Sequence, residues 1–164
     1  MYFLATSPLI RQYDAMWELE WAFGEEAKIR KTRYPGVTLV NANVEMKEGI
    51  ECIREYETTA IYRVLPLERL VKTNTSEIMD EALALSKEKI TKEDSFAVRC
   101  KKRGSPGFSS KDLERDLGSK ICEEIGASVN LDYPNWIVKI EVLGNRTGVS
   151  VLDPDDIVTK EVLD

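Results

Sequence analysis

The chain has 164 residues, 43% of them apolar and 32% charged, with a formal net charge of −6; that is apolar material for one compact domain or two small ones, and Pro and Gly are too few for a disordered or fibrous chain. It contains no histidine, which excludes imidazole bases, Ser-His-Asp or Cys-His pairs and Cys/His zinc sites. No apolar run approaches the ~20 residues of a membrane span, the N-terminus lacks the basic and apolar regions of a signal peptide, and Cys52, Cys100 and Cys122 show no CxxC spacing, so the expectation is a cytoplasmic protein with reduced, mostly buried thiols and no membrane association.

Residues 2–6 predict a strand. Ser7-Pro8 then supplies a cap and a proline suited to a first helical position. From Leu9 to Phe23 apolar residues recur at helical spacing, with Leu9, Tyr13, Met16 and Trp17 on one side and Leu19, Ala22 and Phe23 beside them. Trp17 and Trp21, four apart, read as core residues in preference to base-stacking ones. Gly24 is a stop signal. Residues 28–33 and 37–41 flank Tyr34-Pro35-Gly36 and predict a hairpin. A second helix is expected over residues 44–56, with Met46, Ile50 and Ile53 facing in, and a strand over Thr59–Val64, ended by Pro66. The order strand, helix, strand, strand, helix, strand fits a sheet with both helices on one face, a ferredoxin-like arrangement.

Residues 66–74 read as a connection. Asn74-Thr75-Ser76-Glu77 is a capping-box pattern that opens a helix to about Ile90. A strand over Ser95–Arg99 and a loop at Gly104–Gly107 precede a helix capped by Ser109 and running to about Ile125, with Phe108 placed to staple against Leu113. Val129-Asn130-Leu131 reads as a short strand. Tyr133-Pro134-Asn135 turns into a long strand at Trp136–Leu143, and Gly144-Asn145 turns back into Arg146–Leu152. The fold class is therefore α/β (α+β) throughout. Asp153-Pro154-Asp155-Asp156 reads as a terminal turn, not as a metal site, and no metal or cofactor is expected.

Charge placement is the strongest chemical signal. Residues 96–120 hold seven cations and three acids, so this stretch is cationic inside an acidic chain. Arg99, Lys101, Lys102 and Arg103, the glycine-containing loop after them, and the N-terminus of the helix near Ser110 could converge on phosphate. Lys111 and Arg115 lie four apart and share a helix face. An ordinary solvated loop explains the same pattern equally well. Lys28, Arg30, Lys31 and Arg33 form a second cluster, which also fits a charged edge strand guarded against aggregation. Cys100 among these cations has no partner base and reads as a packing thiol. Phosphate-loop, dinucleotide and nucleophile-elbow motifs are all absent.

Residues 95–152 resemble a THUMP domain. The resemblance is carried by Phe96-Ala97-Val98-Arg99, Lys101-Lys102-Arg103-Gly104, Phe108-Ser109-Ser110, Leu113, Leu117-Gly118 and Val129-Asn130-Leu131, then Pro134-Asn135 before Ile137–Val142, and Thr147–Leu152. Tyr62–Leu67 and the helix from Ser76 look like the lead-in, and a ferredoxin-like domain typically precedes THUMP. The resemblance implies an N-terminal ferredoxin-like domain over residues 1–67 and a THUMP domain over residues 68–164. It implies tRNA binding, chiefly at the acceptor end, with Arg99, Lys101, Lys102, Arg103, Lys111 and Arg115 as contact candidates. It further implies an adaptor without chemistry of its own that serves a tRNA acetyltransferase in N4-acetylcytidine formation. The alternatives are the RNA-binding portion of a larger tRNA methyltransferase or thiouridylase, and a protein-interaction module with no RNA role.

Overall fold

Phe3, Leu4 and Ala5 are consecutive and all buried in β1 (Tyr2–Thr6), a pattern that demands a central strand. In the computed structural model, which describes residues 1–164, β1 pairs antiparallel with β3 (Val37–Asn41) on one side and β4 (Arg63–Leu67) on the other. β2 (Lys28–Lys31) adds antiparallel to β3 as an edge. With α1 (Gln12–Phe23) and α2 (Met46–Glu55) between the strands, the order β4-β1-β3-β2 is the expected ferredoxin-like one. Two details differ. Residues 59–62 lie outside β4, and the strand runs through Pro66 instead of stopping there. β4 is an edge strand at that point, a position that admits a missing N–H.

Helix α1 turns the opposite face to the sheet from the one its aromatics suggest. Leu9–Arg11 form a separate 3-10 turn, and Gln12, Ala15 and Leu19 are the buried residues of the helix. Tyr13, Trp17 and Trp21 are 68%, 62% and 61% exposed, so the assignment of both tryptophans to the core is overturned. A helical period cannot choose between two apolar stripes. The winning stripe carries the small Ala15, which allows close approach to the sheet. It also carries Gln12, whose amide donates to the Val37 carbonyl at 3.2 Å and to Thr38 Oγ1 at 3.1 Å.

Helix α2 approaches β1 at Gly49, where a Cβ would fall 2.2 Å from Phe3 Cζ. Phe3 is fully buried and its ring centroid lies 4.9 Å from that of Phe23, so the ring has little room to retreat. Gly49→Ala is expected to destabilise by about 1–3 kcal/mol through overpacking, despite alanine's better helix propensity. A urea midpoint equal to or above wild type would contradict this.

The second unit comprises residues 68–154. β5 (Arg69–Lys72) lies inside what reads as a connection, followed by α3 (Thr75–Lys89), β6 (Ser95–Arg103), α4 (Ser110–Ile125), β7 (Ser128–Val129), β8 (Trp136–Leu143) and β9 (Arg146–Leu152). The sheet order is β5-β9-β8-β6-β7, with β8, β6 and β7 parallel. Ile78 and Leu85 of α3 and Leu117 and Ile121 of α4 meet Phe96, Val138, Ile140 and Val149 in one core. Asn74 and Ser109 cap α3 and α4, accepting from the backbone N–H groups of Glu77 and Asp112. β6 continues four residues beyond Arg99, because its parallel register with β8 holds through Arg103 opposite Leu143. The expected end at Arg99 follows the apolar residues, and the ladder with β8 carries the strand on through the polar ones.

The last ten residues pack with the first unit, which is residues 1–67 with 155–164. Sequence order places them with the second domain. β10 (Val158–Thr159) pairs with β4, and Lys160 N–H donates to the Tyr62 carbonyl at 2.8 Å. Asp156, buried, accepts from Lys47 Nζ at 2.6 Å. Arg54 and Arg11 donate to the carbonyls of Asp155 and Leu163.

Candidate nucleic-acid interface

β6 alternates its side chains across the sheet. Phe96, Val98 and Cys100 face the helices, where the first two join the core and Cys100 packs against it. Arg99, Lys101 and Arg103 face the other way. At the open edge of the sheet, β7 covers only the first two residues of β6, so the α4 side of that edge stays uncovered. The result is a groove of about 960 Å³ between α4 and the β6–β7 edge. Its floor is apolar, built from Phe96, Val98, Val129 and Leu131. Val129 and Leu131 remain 52% and 68% exposed, which leaves them open to a flat ligand.

Three of the six candidate cations reach this groove: Arg99, Lys111 and Arg115. The Arg99 guanidinium wraps over the edge and donates to the Leu131 carbonyl at 3.2 Å. Lys111 and Arg115 stand on the first two turns of α4. Arg115 lies 3.3 Å from Asp112 and 3.4 Å from Asp116. These ion pairs are exposed, so each contributes little and can exchange for a phosphate. Glu114 and Glu123 also line the groove, and Glu114 is occupied as the acceptor for the Cys100 N–H at 3.0 Å.

The other three candidates lie elsewhere. Lys101 is exposed on the face away from the helices. Lys102 donates to the Phe108 carbonyl at 2.8 Å and ties β6 to the loop before α4. Arg103 is committed to the fold, its side chain only 11% exposed and 2.7 Å from Glu141. Cys100 is a packing thiol in its chemistry too, since burial pushes its pKa up. Across the sheet edge, Trp136 Nε1 donates to Asp94 at 3.1 Å. The Thr91 N–H and this indole hold the Asp94 carboxyl below its ordinary range.

The apolar floor is the part that sequence reasoning does not find. Residues 96–99 and 129–131 come together only through the parallel β6–β7 pairing, which leaves no hairpin signature. A short strand predicted at 129–131 marks the place; in the structure it covers Ser128–Val129, and Asn130 Oδ1 instead accepts from the Asp132 and Tyr133 N–H groups in a turn.

Residues 72–152 match the profile of the THUMP domain. An uncharacterised protein of Methanocaldococcus jannaschii is 36% identical over 118 residues, covering 72% of this chain and 31% of that protein. A tRNA sulfurtransferase of Pectobacterium atrosepticum is 36% identical over 99 residues, covering 58% of this chain and 20% of that protein. The chain therefore spans about a third or less of these relatives. Among solved structures, the protein PH1313 from Pyrococcus horikoshii superposes with a TM-score of 0.73 at 15% identity, over 97% of this chain and 55% of that one. A 4-thiouridine synthetase in complex with RNA and ATP superposes at 0.68 with 17% identity, over 97% of this chain and 42% of that one. TrmN from Thermus thermophilus does so at 0.68 with 19% identity, over 92% and 45%. At these identities the structural matches establish the shared fold.

Proposed function

Residues 72–152 of this chain form a THUMP domain, and from that premise we propose that the protein binds tRNA and presents it to a modification activity, performing no chemistry itself. The observation that carries this reading is the groove, where three cations stand around an apolar floor whose Val129 and Leu131 are open to solvent. Unpaired RNA is held in this way, with bases stacked or packed on an apolar surface and phosphates met by Arg and Lys. The unpaired 3′ tail at the acceptor end is the ligand that fits a groove of this size. In its specific form the partner is a tRNA acetyltransferase that forms N4-acetylcytidine in the cytoplasm. A second reading, favoured by the sulfurtransferase relatives, makes this chain the tRNA-binding part of a thiouridylase.

The groove variant Arg99→Ala/Lys111→Ala/Arg115→Ala tests the site. Loss of two to three phosphate contacts is expected to flatten the slope of log K against log salt by about 2 and to weaken tRNA binding at low salt by roughly tenfold or more. Removing the 3′ tail from wild-type complexes should cost a comparable factor. Equal slopes for wild type and variant, with the fold intact by circular dichroism, would reject the assignment. Stimulation of an added acetyltransferase supports the first reading, and stimulation of sulfur transfer the second.

A further inference from the structure

Lys72 and Arg146 are direct cross-strand partners in the β5–β9 pair. Both are exposed, and neither forms an ion pair; the neighbouring Arg69 does, with Glu81 at 3.2 Å. Like charges placed directly opposite destabilise a sheet, and a solvent-facing edge offers no structural reason to keep both. The two cations flank a cleft of about 610 Å³ whose wall also includes Thr73 and Asn145. Thr73 is held there, its N–H bonded to the Asn145 carbonyl at 3.0 Å and its hydroxyl 2.8 Å from that of Thr147.

The register extends this pair into a line. Arg146 stands opposite Leu143, and Leu143 beside Arg103. Lys72, Arg146 and Arg103 therefore share one row on the face away from the helices, three strand spacings or about 14 Å across. Lys101 lies in the next row, beside Glu141. The strands β5, β9, β8 and β6 together hold eight Lys and Arg and a single carboxylate, Glu141, in a chain whose net charge is −6. Glu141 is fully buried and already shared between Arg103 and Lys139. No acid on these strands is left to neutralise Lys72, Arg146 or Lys101.

We propose that Lys72 and Arg146 form a second anion site that binds a backbone phosphate of the nucleic acid, at the far edge of the sheet from the groove. The inference rests on the tRNA reading and extends it to a second contact, at the opposite edge of the sheet from the α4 groove. The like-charge pair is a local instability that a bound phosphate relieves.

Two variants separate this role from a structural one, each assayed for tRNA binding across a salt series and for thermal unfolding. Lys72→Glu turns a repulsive pair into an attractive one, so its Tm is expected at or above wild type while tRNA binding weakens by roughly fivefold or more at low salt. Lys72→Gln/Arg146→Gln is expected to flatten the salt slope by about 1–2. If wild type and the groove variant differ but Lys72→Gln/Arg146→Gln matches wild type in affinity and slope, this inference alone falls. If wild type does not bind tRNA at low salt, the tRNA reading falls and takes this site with it. A clear drop in Tm for Lys72→Glu would assign Lys72 to the fold and also overturn the proposal.

Discussion

Replacing Glu141 with Ala is expected to lower the stability of the second unit by about 3–5 kcal/mol, the cost of leaving a buried ionic partner uncompensated. Glu141 is fully buried, and its carboxylate lies between the Arg103 guanidinium at 2.7 Å and the Lys139 ammonium at 3.2 Å. Those side chains are only 11% and 9% exposed, so each keeps little contact with water to offset the loss of its partner. Losing the one negative charge leaves two buried cations on adjacent strands. Urea unfolding of Glu141→Ala, followed by signals from the second unit, reads the effect through its midpoint. The companion variant Arg103→Met/Lys139→Leu/Glu141→Leu, which removes all three charges at similar volume, should recover most of the loss. A loss below ~1 kcal/mol in Glu141→Ala would show that water reaches the triad freely.

Deleting residues 155–164 should cost the first unit on the order of 3–5 kcal/mol, from the burial of Val158 and several hydrogen bonds together. Val158 is 6% exposed and joins the core of that unit. β10 protects part of the β4 edge, and Lys160 Nζ donates to the last carbonyls of α2, reaching Arg54 at 3.1 Å and Tyr56 at 2.7 Å. Lys47 and Arg54 also lose their acceptors in Asp156 and Asp155, while Arg11 loses the Leu163 carbonyl and keeps Thr59 and Asp14. In amide spectra of the truncated chain, resonances of residues 1–67 should broaden or collapse, while those of the THUMP domain stay dispersed. Unchanged amide exchange in β4 would refute this role for the C-terminal segment.

Much of the local structure is legible without coordinates, because it depends on neighbours in the chain. The caps at Asn74 and Ser109, the Tyr34-Pro35-Gly36 turn and the extent of β8 each follow from a few adjacent residues. The strand-helix order of the first sixty-seven residues is of the same kind. What fails is any judgement that depends on a distant partner. Trp17 and Trp21 read as core until the sheet selects the Gln12–Ala15–Leu19 face. Residues 69–72 read as a connection until β9 lies beside them. The strand from Ser95 reads as ending at Arg99 until β8 extends the ladder to Arg103.

The candidate site divides along the same line. Charge counting finds the cationic stretch at residues 96–120, since net charge is a property of composition. It cannot sort the members. Whether an arginine meets solvent or a buried acid depends on strand register, and register sends Arg103 to Glu141 while Arg99, Lys111 and Arg115 converge on one groove. By itself the amino-acid order determined the class of fold, the positions of the caps and turns, and a positive segment set in a negative chain. The tertiary structure alone decided which face of α1 is buried, where the last ten residues pack, and which cations line the groove. Short-range preferences are written residue by residue, whereas burial and pairing arise only when segments far apart in the chain compete for the same neighbours.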